Sequence, residues 1–239
     1  SDHMLYVSDT HNNLVRRIDG STNRLSTLSG VPGQKGFSGD GGPAKKAKLD
    51  TPISISLTPD EKTLLIADIR NRRIRAVDLS SGIIRTVAGN GIRGKPIDGK
   101  PALGQPLMDP RASVMDDAGN LYVLERNGHA LRVVRPNGKI YTLAGTGKKG
   151  RKDGPAMQAT FNGPKHLCFD AKGRIIIADD NNHLIRLYDP ESKSVSTILG
   201  GQAMPKAVLD RPHGVALGPD GSLWVCDSGN DRILKLRNY

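Results

Sequence analysis

Five acidic residues recur along the chain, and an arginine follows four of them. The acids are Asp9, Asp68, Glu125, Asp179 and Asp227, at intervals of 59, 57, 54 and 48 residues, and the arginines are Arg16, Arg75, Arg132 and Arg186. Acids and bases in such a pattern can serve catalysis or ion pairing. Catalysis needs asymmetry, whereas a residue that returns in every copy of a repeat is explained by the fold. We therefore predict that the acids accept hydrogen bonds from backbone amides of a tight turn, and that the arginines pair with acids of a neighbouring unit.

A second group of residues departs from the repeat. The residue after a recurring proline is Ile53, Arg111, Lys165 and His213 in successive copies, and His166 follows Lys165. Cationic or potentially cationic groups that converge can hold a carboxylate or a phosphate. We predict that Arg111, Lys165, His166 and His213 are candidates for such an anion site.

Metal and covalent chemistry find little support in the residues. His11, His129 and His183 fall in turn sequences, and no zinc spacing, phosphate-binding glycine loop or arrangement of nucleophile, base and acid is visible. No loop gathers the several oxygen ligands that a calcium site needs. We predict no cofactor, with calcium or zinc expected only if the chain is an enzyme.

The elements that position these residues are strands. Each acid ends an apolar run such as LLIAD, a polar turn follows, and the next run alternates apolar and basic residues, as in RIRAVD. Alternation is the period of a half-buried strand, so each copy is predicted to be a hairpin. A strand that begins after Pro52, Pro110 or Pro164 precedes three of the hairpins, and a strand that ends at Gly30, Gly89, Gly145 or Gly200 follows four of them. A full unit thus has four strands, here labelled a, b, c and d.

Four-stranded units repeated around an axis are typical of a β-propeller, and strand a then lines the central channel. The copies resemble NHL repeats, because they combine the acid, an asparagine three residues later and Ile-Arg in strand c, and Asn182-His183-Leu184 spells the motif of that family. The resemblance implies an all-β propeller of NHL type with six blades as the family norm. Only five units are visible here, and the first lacks strand a while the last lacks strand d.

The incomplete ends bear on the domain limits. Residues 1–4 are interpreted as a cloning remnant, and residues 5–239 as one propeller domain trimmed from a longer parent protein. No apolar stretch is long enough to cross a bilayer. The open ends predict self-association, because an unpaired strand is a template for another chain.

The net charge of +11 predicts a polarised molecule. In a propeller the d–a loops (residues 30–51, 89–109, 145–163 and 200–211) and the b–c turns emerge on one face, which we call the basic face. The predicted partner-binding residues there are Lys45, Lys46, Arg70, Arg72, Arg73, Arg93, Arg126, Lys148, Lys149, Arg151 and Lys152. The turns of the opposite face, such as residues 58–61, 116–119 and 218–221, are acidic or neutral. A basic face concentrates anionic partners.

Three d–a loops share an Asp-Gly element followed by Pro-Ala. The aspartates are Asp40, Asp98 and Asp153. Asp followed by Pro-Ala is a helix-start signal. We therefore predict one short helical turn in each loop, capped by its aspartate, with Ala47 and Ala159 packed inward.

These observations favour a non-catalytic scaffold that binds a protein or an acidic ligand through the basic face. Two alternatives stand beside it. One is a metal-dependent lyase or lactonase-like enzyme with a site in the channel, as the resemblance allows, and the other is sequence-tolerant binding of RNA or DNA. Only 4% of residues are aromatic, which limits base stacking. The glycine-rich loops resemble those of exported bacterial proteins and favour an extracytoplasmic location.

Overall fold

The computed structural model describes residues 3–201 and 208–237 as five antiparallel sheets joined by turns and loops. Three strands form the first sheet: β1 (Met4–Asp9), β2 (Leu14–Asp19) and β3 (Arg24–Ser29). Four form the second: β4 (Pro52–Leu57), β5 (Thr63–Asp68), β6 (Arg73–Asp78) and β7 (Ile84–Ala88). The third has β8 (Pro110–Met115), β9 (Leu121–Glu125), β10 (Ala130–Val134) and β11 (Ile140–Ala144).

The fourth sheet gains one short strand at its outer edge. Its members are β12 (Gly154–Pro155), β13 (His166–Phe169), β14 (Ile175–Asp179), β15 (Leu184–Asp189) and β16 (Ser194–Leu199), in the order β12-β16-β15-β14-β13. The fifth has β17 (Pro212–Leu217), β18 (Leu223–Asp227) and β19 (Arg232–Leu236). Short 3-10 turns lie at Thr10–Asn12, Ala44–Lys46, Ala102–Gly104, Asp180–Asn182 and Ser228–Asn230.

The predicted fold class is confirmed: the protein is an all-β propeller, and each sheet is one blade. The predicted ends of strand d agree with the observed ones to within a residue. Within the described ranges the first blade lacks strand a and the last lacks strand d, as predicted. The chain divides into two compact units, residues 1–121 with 134–140, and residues 122–133 with 141–239.

Each unit has a core between successive blades. In the first unit, Val15 and Leu28 of the first blade pack with Leu64 and Ile66 of the second, and Leu49 of the intervening loop completes the cluster. In the second unit, the core between the last two blades has the same layout. Its members include Ile176, Ile185, Leu209, Val215 and Val225. Both faces of strand b are covered in the second and fourth blades, so β5 and β14 have a continuous apolar sequence rather than an alternating one.

The glycine at the end of strand d is required by close backbone approach. Gly89 has φ +90, and a Cβ there would lie 2.2 Å from the carbonyl oxygen of Arg72. Gly145 has φ +96 and the same approach to the carbonyl of His129, at 2.3 Å. A side chain would meet both the strain of positive φ and this overlap. The recurrence of glycine after strand d follows from this geometry.

The d–a loops correct one prediction. Two contain the expected helical turn, but Pro43 and Pro101 occupy the N-cap positions and no side chain caps either turn. The third loop instead forms β12, which pairs with β16 at the edge of the fourth blade. The aspartates Asp40 and Asp153 bind elsewhere, as described below, because proline already fixes the backbone at the start of the turn. Ala47 and Ala159 are buried, as predicted.

Candidate functional site

Three of the recurrent acids, Asp68, Asp179 and Asp227, hold buried junctions between a blade and the loop that precedes it. Asp179 Oδ1 accepts the backbone N–H of Asn162 at 2.8 Å, while Oδ2 accepts bonds from the side chains of Asn182 at 2.7 Å and Arg186 at 2.9 Å. Burial raises the pKa of Asp179, and these three donors act to lower it. Asp68 repeats the arrangement with Asp50, Asn71 and Arg75. The structural role is confirmed, but the bonded amide belongs to the d–a loop, not to the b–c turn.

The arginines pair differently from the prediction. Arg186 and Arg75 each bind the acid of their own blade, and their second carboxylate comes from the preceding loop. Asp153 accepts from Arg186, and Asp40 accepts from Arg75 at 2.8 Å. Arg186 also donates to the carbonyls of Lys152 and Thr160, both at 3.0 Å. One buried guanidinium thus holds the loop that carries Lys148, Lys149, Arg151 and Lys152.

Side-chain acceptors in the b–c turns join one blade to the end of the d–a loop that leads to strand a of the next blade. Asn13 Oδ1 accepts the backbone N–H of Thr51 at 2.8 Å, and His129 Nδ1 accepts that of Gly163 at 3.1 Å. A ring nitrogen can accept only when it carries no proton, so this bond requires neutral His129. Burial, aided by the charge of Lys149, lowers the pKa of His129 and favours that form. His129 is therefore a structural acceptor.

This bond predicts an acid-sensitive contribution to stability. Because the pKa of His129 is lower in the folded than in the unfolded chain, its contribution is complete above the unfolded value of about 6.5 and falls as the pH drops below it. His129→Asn should keep the bond, as Asn13 does at a similar backbone conformation (φ 57 against φ 46), and should reduce the acid-induced loss by about 1 kcal/mol. Urea unfolding at pH 7.5 and pH 5 measures this difference. An equal loss in both proteins would disprove the assignment.

The predicted basic residues fall into two groups. Arg72 donates to the carbonyl of Gly91, and Arg73 donates to the carbonyls of Asn71 and Asn90 while it lies 3.7 Å above the ring of Phe37. These two guanidinium groups tie a b–c turn to a d–a loop. The other nine cations form no ion pair within the described part of the chain. They are Lys45, Lys46, Arg70 and Arg93 in the first unit and Arg126, Lys148, Lys149, Arg151 and Lys152 in the second, all exposed except half-buried Arg126.

Large apolar side chains are exposed on the same loops. In the loop of residues 89–109, Ile92, Ile97 and Leu103 are each about 60% exposed, beside Arg93. In the second unit, Met157 is exposed in the loop that carries the lysine-rich segment. Sequence analysis identified the cations but missed these apolar residues, although their place between glycine and lysine in a loop was a visible signal. The loops can offer charge and apolar area together.

The anion-site candidates are only partly brought together. Lys165 and His213 are hydrogen-bonded to each other through Nζ and Nε2. Both residues also contact Asp180, a fully buried residue that sequence analysis missed. Its Oδ2 is 3.1 Å from Lys165 Nζ and 3.3 Å from Arg211 Nη2, and its Oδ1 is 3.2 Å from His213 Nε2. These four residues, from the last two blades, are called the Asp180 cluster below.

The remaining candidates lie outside this cluster or are not placed in it. His166 Nδ1 lies 3.1 Å from the carbonyl oxygen of Val215, a backbone contact between neighbouring strands. Arg111 is half-buried in strand β8 of the other unit, so its place beside Lys165 stays a prediction. No group of three or more His, Cys, Asp or Glu side chains converges among the described residues. No helix in those residues is long and apolar enough to span a membrane.

Comparison of the sequence with known proteins finds one matching family model and several relatives. The family model of the NHL repeat matches residues 209–236. The chain is 28% identical to the protein SUPPRESSOR OF QUENCHING 1, chloroplastic, from Arabidopsis thaliana, over 82% of this chain and 25% of that protein. It is 32% identical to NHL repeat-containing protein 2 from Homo sapiens, over 55% of this chain and 20% of that protein. It thus spans a quarter or less of the length of these relatives.

Solved structures show the same fold at low identity. A chain of the nidogen/laminin complex aligns with a TM-score of 0.67 and 17% identity, over 98% of this chain and 72% of that chain. A catalytically inactive virginiamycin B lyase from Staphylococcus aureus, solved with quinupristin, aligns with a TM-score of 0.61 and 14% identity, over 100% of this chain and 64% of that chain. At such identities the likeness is one of fold alone.

Proposed function

Because this chain belongs to the NHL-repeat family of β-propellers, we propose that it is a non-catalytic scaffold that binds an acidic segment of a protein through its d–a loops and b–c turns. The observation that carries the proposal is the joint exposure of cations and large apolar side chains on these loops, as with Arg93 beside Ile92 and Ile97. Stable protein interfaces combine apolar contact with a charged rim. A segment rich in acids with a few apolar residues matches both features.

The buried junctions fix the backbone of the d–a loops before a partner binds. In the second unit, Asp153 and the carbonyls of Lys152 and Thr160 are fixed by Arg186, so the exposed lysines project from an ordered backbone. An ordered loop loses less conformational entropy when a partner docks. The internal acids are therefore part of the binding function without touching the partner.

The limited access to the aromatic rings of the d–a loops favours a protein partner over a nucleic acid. Sequence-tolerant binding of single strands relies on aromatic rings on which bases stack. The exposed ring of Phe37 is covered by Arg73 at 3.7 Å, and Phe161 is fully buried beneath Arg186. Phe161 therefore offers no face to a base and Phe37 already stacks with an arginine, whereas cations beside isoleucines suit an acidic peptide.

Hydrogen–deuterium exchange with a synthetic peptide of alternating glutamate and leucine tests the proposal. A saturating amount should slow exchange in residues 31–49, 91–107 and 147–160, and should leave the turns at 58–62, 170–173 and 218–221 unchanged. Protection confined to those opposite turns would contradict the proposal. Protection by single-stranded RNA in place of the peptide would assign the loops to nucleic acid instead.

A further inference from the structure

We propose that the first blade holds a docking site for an aspartate side chain on a loop of a partner protein. The site is a pocket of about 660 Å³ whose walls include Val7, Arg16, Ile18 and Leu25. Tyr6 packs against the core shared with the second blade, so Val7, the next residue of the strand, faces the opposite way. Arg16 lies opposite Val7 in the strand register and shares that outer face.

The second blade shows what an arginine at this position binds. Arg75 Nε and Nη2 both donate to Asp40 Oδ1, at 3.1 and 2.8 Å, and Thr86 Oγ1 donates to Asp40 Oδ2 at 2.7 Å. Asp40 belongs to the loop that precedes the blade. The fourth blade repeats this binding of a loop aspartate, with Arg186, Thr197 and Asp153.

The first blade has the same pair of donors. Arg16 lies opposite Thr27 in the strand register, as Arg75 lies opposite Thr86. Here Arg16 Nη1 donates to Thr27 Oγ1 at 2.7 Å, and Nε donates to Asp9 at 3.1 Å. Among the residues that the structure describes, no protein group accepts a bond from Arg16 Nη2 or from the hydroxyl of Thr27. The groups that hold a loop aspartate in two other blades therefore remain available in the first.

The acid of the first blade does not exclude a second carboxylate. Arg75 pairs with Asp68 of its own blade and with Asp40 of the preceding loop, and the arginine of the fourth blade also pairs with two acids. An aspartate that docks beside Arg16 and Asp9 reproduces this arrangement of one guanidinium between two carboxylates. Charge-assisted bonds of this kind are the strong ones among protein hydrogen bonds.

The exposure of the pocket suits a loop that covers it. Leu25 is 58% and Val7 is 39% exposed, and the side chain of Arg16 is 27% exposed whereas that of Arg75 is fully buried. In the second blade the preceding loop also places the ring of Phe37 over the guanidinium of Arg75, at 4.9 Å. The partner loop that fits therefore carries an apolar side chain near its aspartate.

The occupant is a loop of a separate protein rather than of a second copy of this chain. Asp40 and Asp153, the loop aspartates that bind in this way here, are already held by Arg75 and Arg186 of their own chain. A second copy would have to release one of them before that loop could dock. A loop of another protein needs no such rearrangement.

NMR titration of the isotope-labelled protein with a peptide of residues 36–44, GFSGDGGPA, tests the proposal, since this peptide carries the aspartate and the phenylalanine of a d–a loop. We expect saturable shifts in the backbone amides of residues 7–9, 16–18 and 25–27. Asparagine in place of the peptide's aspartate should weaken binding about tenfold, and so should Arg16→Met, because each removes one charge of the charge-assisted bond. Arg85→Met, which removes an exposed charge from strand β7, is the matched control and should bind as the unmodified protein does.

Two results would overturn the site. One is the absence of saturable shifts in these strands, and the other is equal binding of the aspartate and asparagine peptides. Thr27→Val keeps the charge of Arg16 and removes one donor, so it should weaken binding about threefold and tests the site independently of the arginine variant. A dimer that forms without peptide and dissociates in Arg16→Met would overturn the choice of a separate partner and assign the pocket to a second copy.

Discussion

Arg186→Met is expected to lower the free energy of unfolding by about 3–5 kcal/mol, because it leaves a fully buried carboxylate without its counter-charge. Arg186 donates to Asp179 at 2.9 Å, to Asp153 and to two carbonyls of the loop before the fourth blade. Methionine fills the same space but supplies none of these donors. Urea unfolding at pH 7 measures the loss.

Arg16→Met is the matched control, since Arg16 holds the same position in the first blade. Arg16 and Asp9 are each 27% exposed and 3.1 Å apart, so water screens the pair and the expected cost is at most about 1 kcal/mol. Equal losses in the two variants would contradict the role assigned to burial.

The pH dependence of the Arg186→Met variant provides a second readout. Burial already raises the pKa of Asp179, and removal of the arginine raises it further. A carboxyl group with a folded pKa above its unfolded one destabilises the fold at high pH, and that cost is relieved as the pH falls through the folded value. The deficit of the variant should therefore shrink as the pH falls from 7 toward the ordinary carboxyl value of about 4. A deficit that stays constant would point to packing alone.

The joint replacement Lys148→Glu and Lys149→Glu is expected to weaken binding of the acidic peptide about 10- to 100-fold at low salt, mainly through slower association. The two lysines are exposed and form no ion pair within the described ranges. Reversing them turns a segment with four cations into one with no net charge, if the adjacent Arg151 and Lys152 are counted with them. Fluorescence anisotropy of the labelled peptide measures the affinity, and unfolding in urea should be unchanged.

The repeat made the blades and the acid junctions predictable from the sequence. An acid marks the end of each strand b, and a glycine follows the end of strand d, so these strand ends depend on residues close by in the sequence. The recurrence of Asp68 and Asp179 correctly indicated a structural role. The partners of Asp40 and Asp153 were not predictable in the same way. Their link to Arg75 and Arg186 joins residues 35 and 33 positions apart, and depends on how a loop folds back on the following blade.

The Asp180 cluster was only half visible in the sequence. Lys165 and His213 were identifiable because the residue after the strand a proline differs from copy to copy. Asp180 follows Asp179 directly, and its departure from Thr10 or Ile69 at the same turn position was an available signal that we did not use. That one carboxylate contacts Lys165, Arg211 and His213 depends on side-chain direction, which one sequence does not specify.

The most direct test of the proposed scaffold function is the ratio of two peptide affinities, each measured in a variant with the same change of net charge. The first variant carries Lys148→Glu and Lys149→Glu in a d–a loop, and the second carries Lys62→Glu and Lys172→Glu, two exposed lysines in turns that join strands a and b. We predict a loss of about 10-fold or more in the first and of less than about 2-fold in the second. Equal losses would show that only net charge matters and would contradict binding through the d–a loops.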